Sequence, residues 1–229
     1  MTVDDAVRLM ESITKLLAVL IWPSIAIFVL FRFGSSLQDF VVNLGELTLK
    51  VAGFEASAKR KAEAASALTA AVISHPELGT TPETAARDAR AAFNIVTEIV
   101  TPQVIRRAEK ATVLWVDDNP DNNLHERAAL EAVGIRFVLA KSTDEALDKI
   151  KNQPFNAIIS DMGRPPDSRA GYTLLDKLRA SGNHTPFIVY AGSRAPEHIA
   201  EVKRRGGIGC TNRPNELFEM VLSALGREV

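Results

Sequence analysis

From Leu16 to Phe31 the chain reads LLAVLIWPSIAIFVLF, sixteen residues without a charge. As a helix this run covers about 24 Å. A typical hydrocarbon core is about 30 Å thick. Lys15 and Arg32 flank the run and can snorkel, while Ile13 and Phe33 extend its apolar surface. A helix apolar on every side is hard to bury in a small domain, so residues 1–35 are expected to form an N-terminal transmembrane anchor. Pro23 predicts a kink within it. Asp4, Asp5 and Glu11 precede the run where a signal peptide carries basic residues, so the anchor is read as retained. Arg8 and Lys15 before the span nearly balance Arg32 and Lys50 after it, and leave its orientation open.

Residues 36–110 read as a helical connector. Leu47, Leu49 and Val51 alternate briefly before Gly53, which predicts a short strand or an irregular turn. After Lys59, Arg60 and Lys61 an alanine-rich helical pattern runs to Ser74. The basic cluster suits either anionic headgroups or a solvated helix start. His75-Pro76 through Thr80 reads as a loop. Thr81-Pro82-Glu83 then supplies an N-cap, an N1 proline and an acid at the positive end of a helix dipole. That helix is expected to reach Val100, with a stripe through Ala85, Ala89, Ala92, Phe93, Val96 and Val100. The preceding helix is one partner for this stripe; a homotypic dimer is the other. Thr101-Pro102 interrupts, and the short basic piece VIRRAEK leads onward.

From Ala111 to Val229 short apolar runs alternate with amphipathic helices. Strands are predicted at Thr112–Val116, Arg136–Ala140, Ala157–Ser160, Phe187–Tyr190 and Gly209–Thr211. Helices are predicted at Asn122–Val133, Thr143–Asn152, Gly171–Ser181, Pro196–Arg205 and Glu216–Leu225. Five strands each followed by a helix imply an α/β fold, a doubly wound five-stranded parallel sheet.

Composition narrows the function. Of the 229 residues, 27 are basic and 28 acidic, a net charge of −1 that argues against a nucleic-acid partner. The one cysteine, Cys210, excludes an internal disulfide framework and any cysteine-rich metal cage. The four histidines (His75, His125, His184 and His198) show no metal-ligand spacing.

The chemistry gathers at the predicted strand ends, where sites in such sheets lie. Asp117 and Asp118 follow the first strand and Asp161 follows the third. Three carboxylates in one crevice repel one another, and a hard divalent cation relieves the repulsion. Mg²⁺ is the natural candidate, and one carboxylate is then available as a nucleophile toward a phosphoryl group. The competing view is that each aspartate merely starts a turn or caps a helix.

LWVDDNP, IISDMG, PFIVYAGS and NRPNEL, in this order and spacing, resemble the receiver domain of bacterial response regulators over residues 112–225. The resemblance implies that Asp117, Asp118, Asp161 and the carbonyl of Gly163 coordinate Mg²⁺ and that Asp161 is the phosphoacceptor. It also implies a histidine kinase or small phosphodonor as partner. Three positions depart from the pattern. Ala191 stands where the family has Thr or Ser, with Ser193 two residues on as a substitute if the loop rearranges. Arg213 before Pro214 replaces a lysine that pairs with the acceptor, and its planar head has another geometry. Cys210 replaces the switch aromatic. The loop after Asp161 is also long and basic, so that Arg164 and Arg169 are candidates to neutralise the aspartates, to grip a phosphate-bearing ligand, or simply to face solvent.

These readings give a first expectation: a receiver-type signalling switch of a phosphorelay, phosphorylated on Asp161 and anchored by a single pass in the inner (cytoplasmic) membrane. Its receiver-like domain would face the cytoplasm, its state would change protein association, and it would not be an enzyme. A pseudo-receiver that senses a ligand or holds a membrane assembly or effector together, without phosphorylation, is the alternative. An aspartate-nucleophile hydrolase is disfavoured, because Asp117 and Asp118 are consecutive and point differently.

Overall fold

Two Thr-Pro steps set the helical entry to the domain. Thr81 accepts the Thr84 N–H on its side chain, and Thr84 returns a hydroxyl acceptor to the Thr81 N–H, a closed capping box that starts α2 (Pro82–Ile99). Thr101 accepts the Val104 N–H on its side chain and so caps α3 (Pro102–Ala108), which takes in the first five residues of VIRRAEK. The structure is a computed structural model that describes residues 53–76, 81–193 and 195–226. The expected span at 16–31 and the alternation at 47–51 lie outside the described residues. Among the described residues no helix is long and apolar enough to cross a membrane. Residues 53–74 are helical (α1), so Gly53 already lies within a helix.

The chain then alternates strand and helix: β1 (Thr112–Val116), α4 (Leu124–Ala132), β2 (Arg136–Ala140), α5 (Thr143–Asn152), β3 (Ala157–Ser160), α6 (Ala170–Ala180), β4 (Phe187–Tyr190), α7 (Pro196–Arg204), β5 (Gly209–Thr211) and α8 (Pro214–Gly226). All five strands match the expected bounds. A 3₁₀ turn at Pro120–Asn123 occupies what the pattern assigns to the start of α4. The strands form one parallel sheet in the order β2-β1-β3-β4-β5.

Period-two alternation sorts the strand side chains into two cores. Val113, Trp115, Ile159, Ile188 and Tyr190 face one, together with α4, α8 and the connector. Leu114, Val116, Ile158, Phe187 and Val189 face the other, covered by α5, α6 and α7. Leu68 of α1 and Val96 of α2 are fully buried in the first core, alongside Phe218 of α8. The α2 stripe therefore packs on the preceding helix and on the α/β layer together. Phe93 is not part of it: at 51% exposed it turns outward, while Ala92, Val96 and Val100 are buried. It sits one residue, about 100° of helix, from Ala92. Residues Ala56–Val229 accordingly make one compact unit.

Candidate functional site

Val116 and Ser160 are register partners at the ends of β1 and β3, so the chain delivers Asp117 and Asp161 side by side. The Asp161 N–H still donates to the Val116 carbonyl (2.9 Å) and the Asp117 N–H to the Ala140 carbonyl (2.9 Å), which fixes both backbones. Here the strand order reverses, with β2 on one side of β1 and β3 on the other, the position where open α/β sheets leave a crevice.

Asp117, Asp118 and Asp161 each bring a carboxylate oxygen within 4.8 Å of the others. Asp117 is buried, and its Oδ1 accepts the Asn119 N–H (2.7 Å) while Oδ2 accepts Asn123 Nδ2–H (2.7 Å). Asp118 is exposed, and Asp161 lies between these extremes. Asp161 Oδ1 accepts the N–H of Met162 (2.7 Å). Burial pushes the Asp161 carboxyl above the usual carboxylate range. Repulsion from Asp117 and Asp118 adds to the rise; the Met162 hydrogen bond and the nearby Arg164 charge oppose it. The donor set, three hard carboxylates with one fixed by two hydrogen bonds, fits a hard divalent cation such as Mg²⁺. Gly163 is exposed two residues after Asp161.

The remaining wall of this roughly 450 Å³ crevice includes His75, Asn122, Tyr190, Ala191, Gly192 and Asn212. Neither Ser193 nor Arg213 lines it. Ser193 is turned toward α7, where its Oγ meets His198 Nδ1 (3.0 Å), and its carbonyl accepts the Cys210 thiol (3.1 Å). Burial raises that thiol to about 11. Arg213 lies 3.8 Å from Glu216 and lines a different cavity with His75, Asp88 and Asn215. The turn decides this. Thr211 Oγ1 accepts the Arg213 N–H (3.1 Å) and donates to Glu216 Oε2 (2.5 Å), leading the chain into α8 and leaving Asn212 at the crevice.

The basic loop also resolves. Arg164 is 3% exposed and donates to Ser160 Oγ (2.8 Å), the Asp161 carbonyl (2.7 Å) and Thr143 Oγ1 (3.2 Å). It braces the strand ends from beneath rather than gripping a carboxylate. Arg169 stacks over the Tyr172 ring, 5.2 Å from its centroid. Asp167 holds the loop by accepting the Arg169 N–H (2.7 Å) and the Thr173 hydroxyl (2.6 Å).

His75, Tyr190 and Asn212 are site residues that sequence reasoning missed. Tyr190 is the last residue of a predicted strand and His75 stands before a proline, so neither carries a local chemical signal. Only the fold brings them to the aspartates.

Residues 113–223 match the family model described as the response regulator receiver domain. The sensor protein EvgS of Escherichia coli (strain K12) is 31% identical over 115 residues, which is 50% of this chain and 9% of EvgS. Among solved structures, the receiver domain of Francisella response regulator 1452 is 26% identical (TM-score 0.47), with 52% of this chain and 98% of that one covered. The receiver domain of sensor histidine kinase PA1611 from Pseudomonas aeruginosa PAO1, with a magnesium ion coordinated in its active-site cleft, is 24% identical (TM-score 0.44) over 51% of this chain and 98% of that one. The half of the chain that carries the three aspartates is thus a response regulator receiver domain, a module of two-component signalling.

Proposed function

We propose that this receiver domain is a phosphoryl acceptor of a phosphorelay, with Asp161 as the accepting residue and Asp117, Asp118, Asp161 and the Gly163 carbonyl as the Mg²⁺ ligands. The observation that carries the reading is the convergence of three carboxylates within 4.8 Å at the ends of β1 and β3. The cation, when bound, supplies positive charge that offsets the carboxylates and the oxygens of the incoming group. The chain does the rest. Met162 N–H holds Asp161 Oδ1, which leaves Oδ2 to form the bond to phosphorus while the donor's leaving group departs. Asn119 and Asn123 orient Asp117, and buried Arg164 keeps the β1 and β3 ends together by donating to the Val116 and Asp161 carbonyls.

A histidine kinase or a small phosphodonor fits this role, with stoichiometric acceptance in place of turnover. The apolar run at 16–31 is proposed to anchor the protein in the inner membrane by a single pass. The receiver domain would then face the cytoplasm, and its phosphorylation would alter association, including with a second copy. One observation favours the alternative of a phosphorylation-independent pseudo-receiver: Ala191, Gly192 and Asn212 line the crevice where the family pattern has a hydroxyl and a lysine.

Intact mass spectrometry of the full chain, incubated with acetyl phosphate and Mg²⁺, separates the two. A gain of one phosphoryl group that is absent in Asp161→Asn supports acceptance. No adduct on folded protein with Mg²⁺ bound overturns it in favour of the pseudo-receiver.

A further inference from the structure

Glu126 is a buried acid outside the aspartate trio. It lies on α4 at 2% exposure, on the same inward face as Ala129 and Leu130. Its Oε1 accepts the Tyr190 hydroxyl (2.9 Å) and lies 3.2 Å from His75 Nδ1. Its Oε2 is buried without a hydrogen-bond partner. His75 Nδ1 also lies 3.3 Å from the Ala71 carbonyl. It lies 3.3 Å from Ser74 Oγ as well, so the imidazole is seated at the end of α1 and meets Glu126 Oε1 in a close polar contact. A buried carboxyl in polar contact with two separate elements is disfavoured once either withdraws.

Tyr190 and His75 are also walls of the acidic crevice. Tyr190 ends β4 immediately before Ala191, and its ring meets Trp115 edge-on at 6.0 Å, two residues ahead of Asp117. His75 follows directly on the connector helix α1, which buries Leu68 in the same core. The chain His75–Glu126–Tyr190 therefore ties the C-terminal end of α1 to the strand that borders the site.

We propose that Glu126 is a latch between the connector and the crevice, so that occupancy of the crevice and the seating of the α1 end are energetically coupled. The coupling rests on the phosphoryl-acceptor reading for its ligand, whereas the contact itself does not. It is reciprocal: whatever binds among the aspartates shifts α1, and whatever pulls on α1 shifts affinity at the aspartates. A signal arriving at the receiver domain thereby has a route into the connector.

Hydrogen exchange of the full chain in detergent micelles, read by mass spectrometry, tests this, with calorimetry to follow Mg²⁺ binding. Mg²⁺ with beryllofluoride, a phosphoryl mimic, is expected to change exchange across residues 66–76 by about fivefold or more, the low end of ordinary allosteric coupling. In Glu126→Gln that change is expected to vanish while Mg²⁺ still binds. Binding with no change at 66–76 in the native chain, or a change that survives Glu126→Gln, overturns the latch and leaves the acceptor reading intact. If Glu126→Gln does not fold, Tyr190→Phe removes a single hydroxyl and is judged by the exchange at 66–76 alone. If Mg²⁺ does not bind at all, the acceptor reading fails on its own. The latch then rests on the ligand-free chain, where Tyr190→Phe must raise exchange at 66–76 about fivefold, and unchanged exchange overturns it.

Discussion

Asp161→Asn isolates the electrostatic strain of the crevice. Two unit charges at 4.8 Å, the outer limit of the carboxylate separations here, repel by about 3.5 kcal/mol at an effective dielectric of about 20, and by about 1 kcal/mol in water. Asp118 is exposed and the buried Arg164 charge opposes the repulsion, so the net strain lies toward the lower figure, about 1–2 kcal/mol. Removing the charge and keeping the shape should therefore stabilise the metal-free fold by that amount. For a unit of this size that is a rise of about 2–8 °C in Tm. The pH dependence follows in sign. The folded Asp161 carboxyl titrates above its unfolded value, so its ionised form disfavours the fold at neutral pH. Acidification through its raised folded range relieves that penalty, and the Asn variant loses the relief. Mg²⁺ should act oppositely on the two proteins: at ten times its Kd it stabilises the native chain by about 1.4 kcal/mol, and the variant by much less. The assay is thermal unfolding by circular dichroism in chelator and in Mg²⁺. A variant that melts no higher than the native chain in chelator, or that gains equally from Mg²⁺, refutes the reasoning.

Two further outcomes concern the frame of the site. Arg164→Ala should destabilise the fold by about 3 kcal/mol in urea denaturation, because it strips donors from Ser160 Oγ and the Asp161 carbonyl in a buried setting; Arg164→Lys should recover only part of this, since an ammonium lacks the planar fork. Leu68→Ala should cost about 2–5 kcal/mol and shift one cooperative transition of the connector and the receiver domain together, monitored by far-ultraviolet and near-ultraviolet circular dichroism, because Leu68 shares a core with Trp115 and Phe218.

Much of this was open to reading along the chain. Short consecutive apolar runs place β1 to β5, because a strand buried on both faces needs consecutive apolar positions whatever its neighbours are. The Thr81-Pro82 cap placed α2, because capping is chemistry within one turn of backbone. The Thr101-Pro102 cap is equally local, yet the seven residues of α3 are too few to show a helical stripe. The acidic trio was legible because two strand ends fall at a switch in strand order, which is a property of topology and not of side-chain detail.

Side-chain direction is where reading stopped. Arg213 carries the charge expected at the crevice, but the Thr211 hydroxyl turns the chain so that Asn212 faces the aspartates instead. Arg164 is a basic loop residue by sequence and a buried brace in the fold, because the Arg164–Asp167 backbone pairing folds the loop back over the strand ends. Phe93 looked like part of a packed stripe and faces outward, since one residue off the stripe is about 100° of rotation.

The sequence by itself determined the five-stranded parallel sheet, the acids at its edge and the family to which that half of the chain belongs, because each depends on local periodicity or on motif order. Only tertiary structure decided that α1, α2 and α3 share the core of the receiver domain, and that His75 and Tyr190 meet on Glu126 beside the aspartates. The physical reason is distance along the chain. Tyr190 and Glu126 are 64 residues apart, and nothing in either neighbourhood encodes the other until the sheet closes around them.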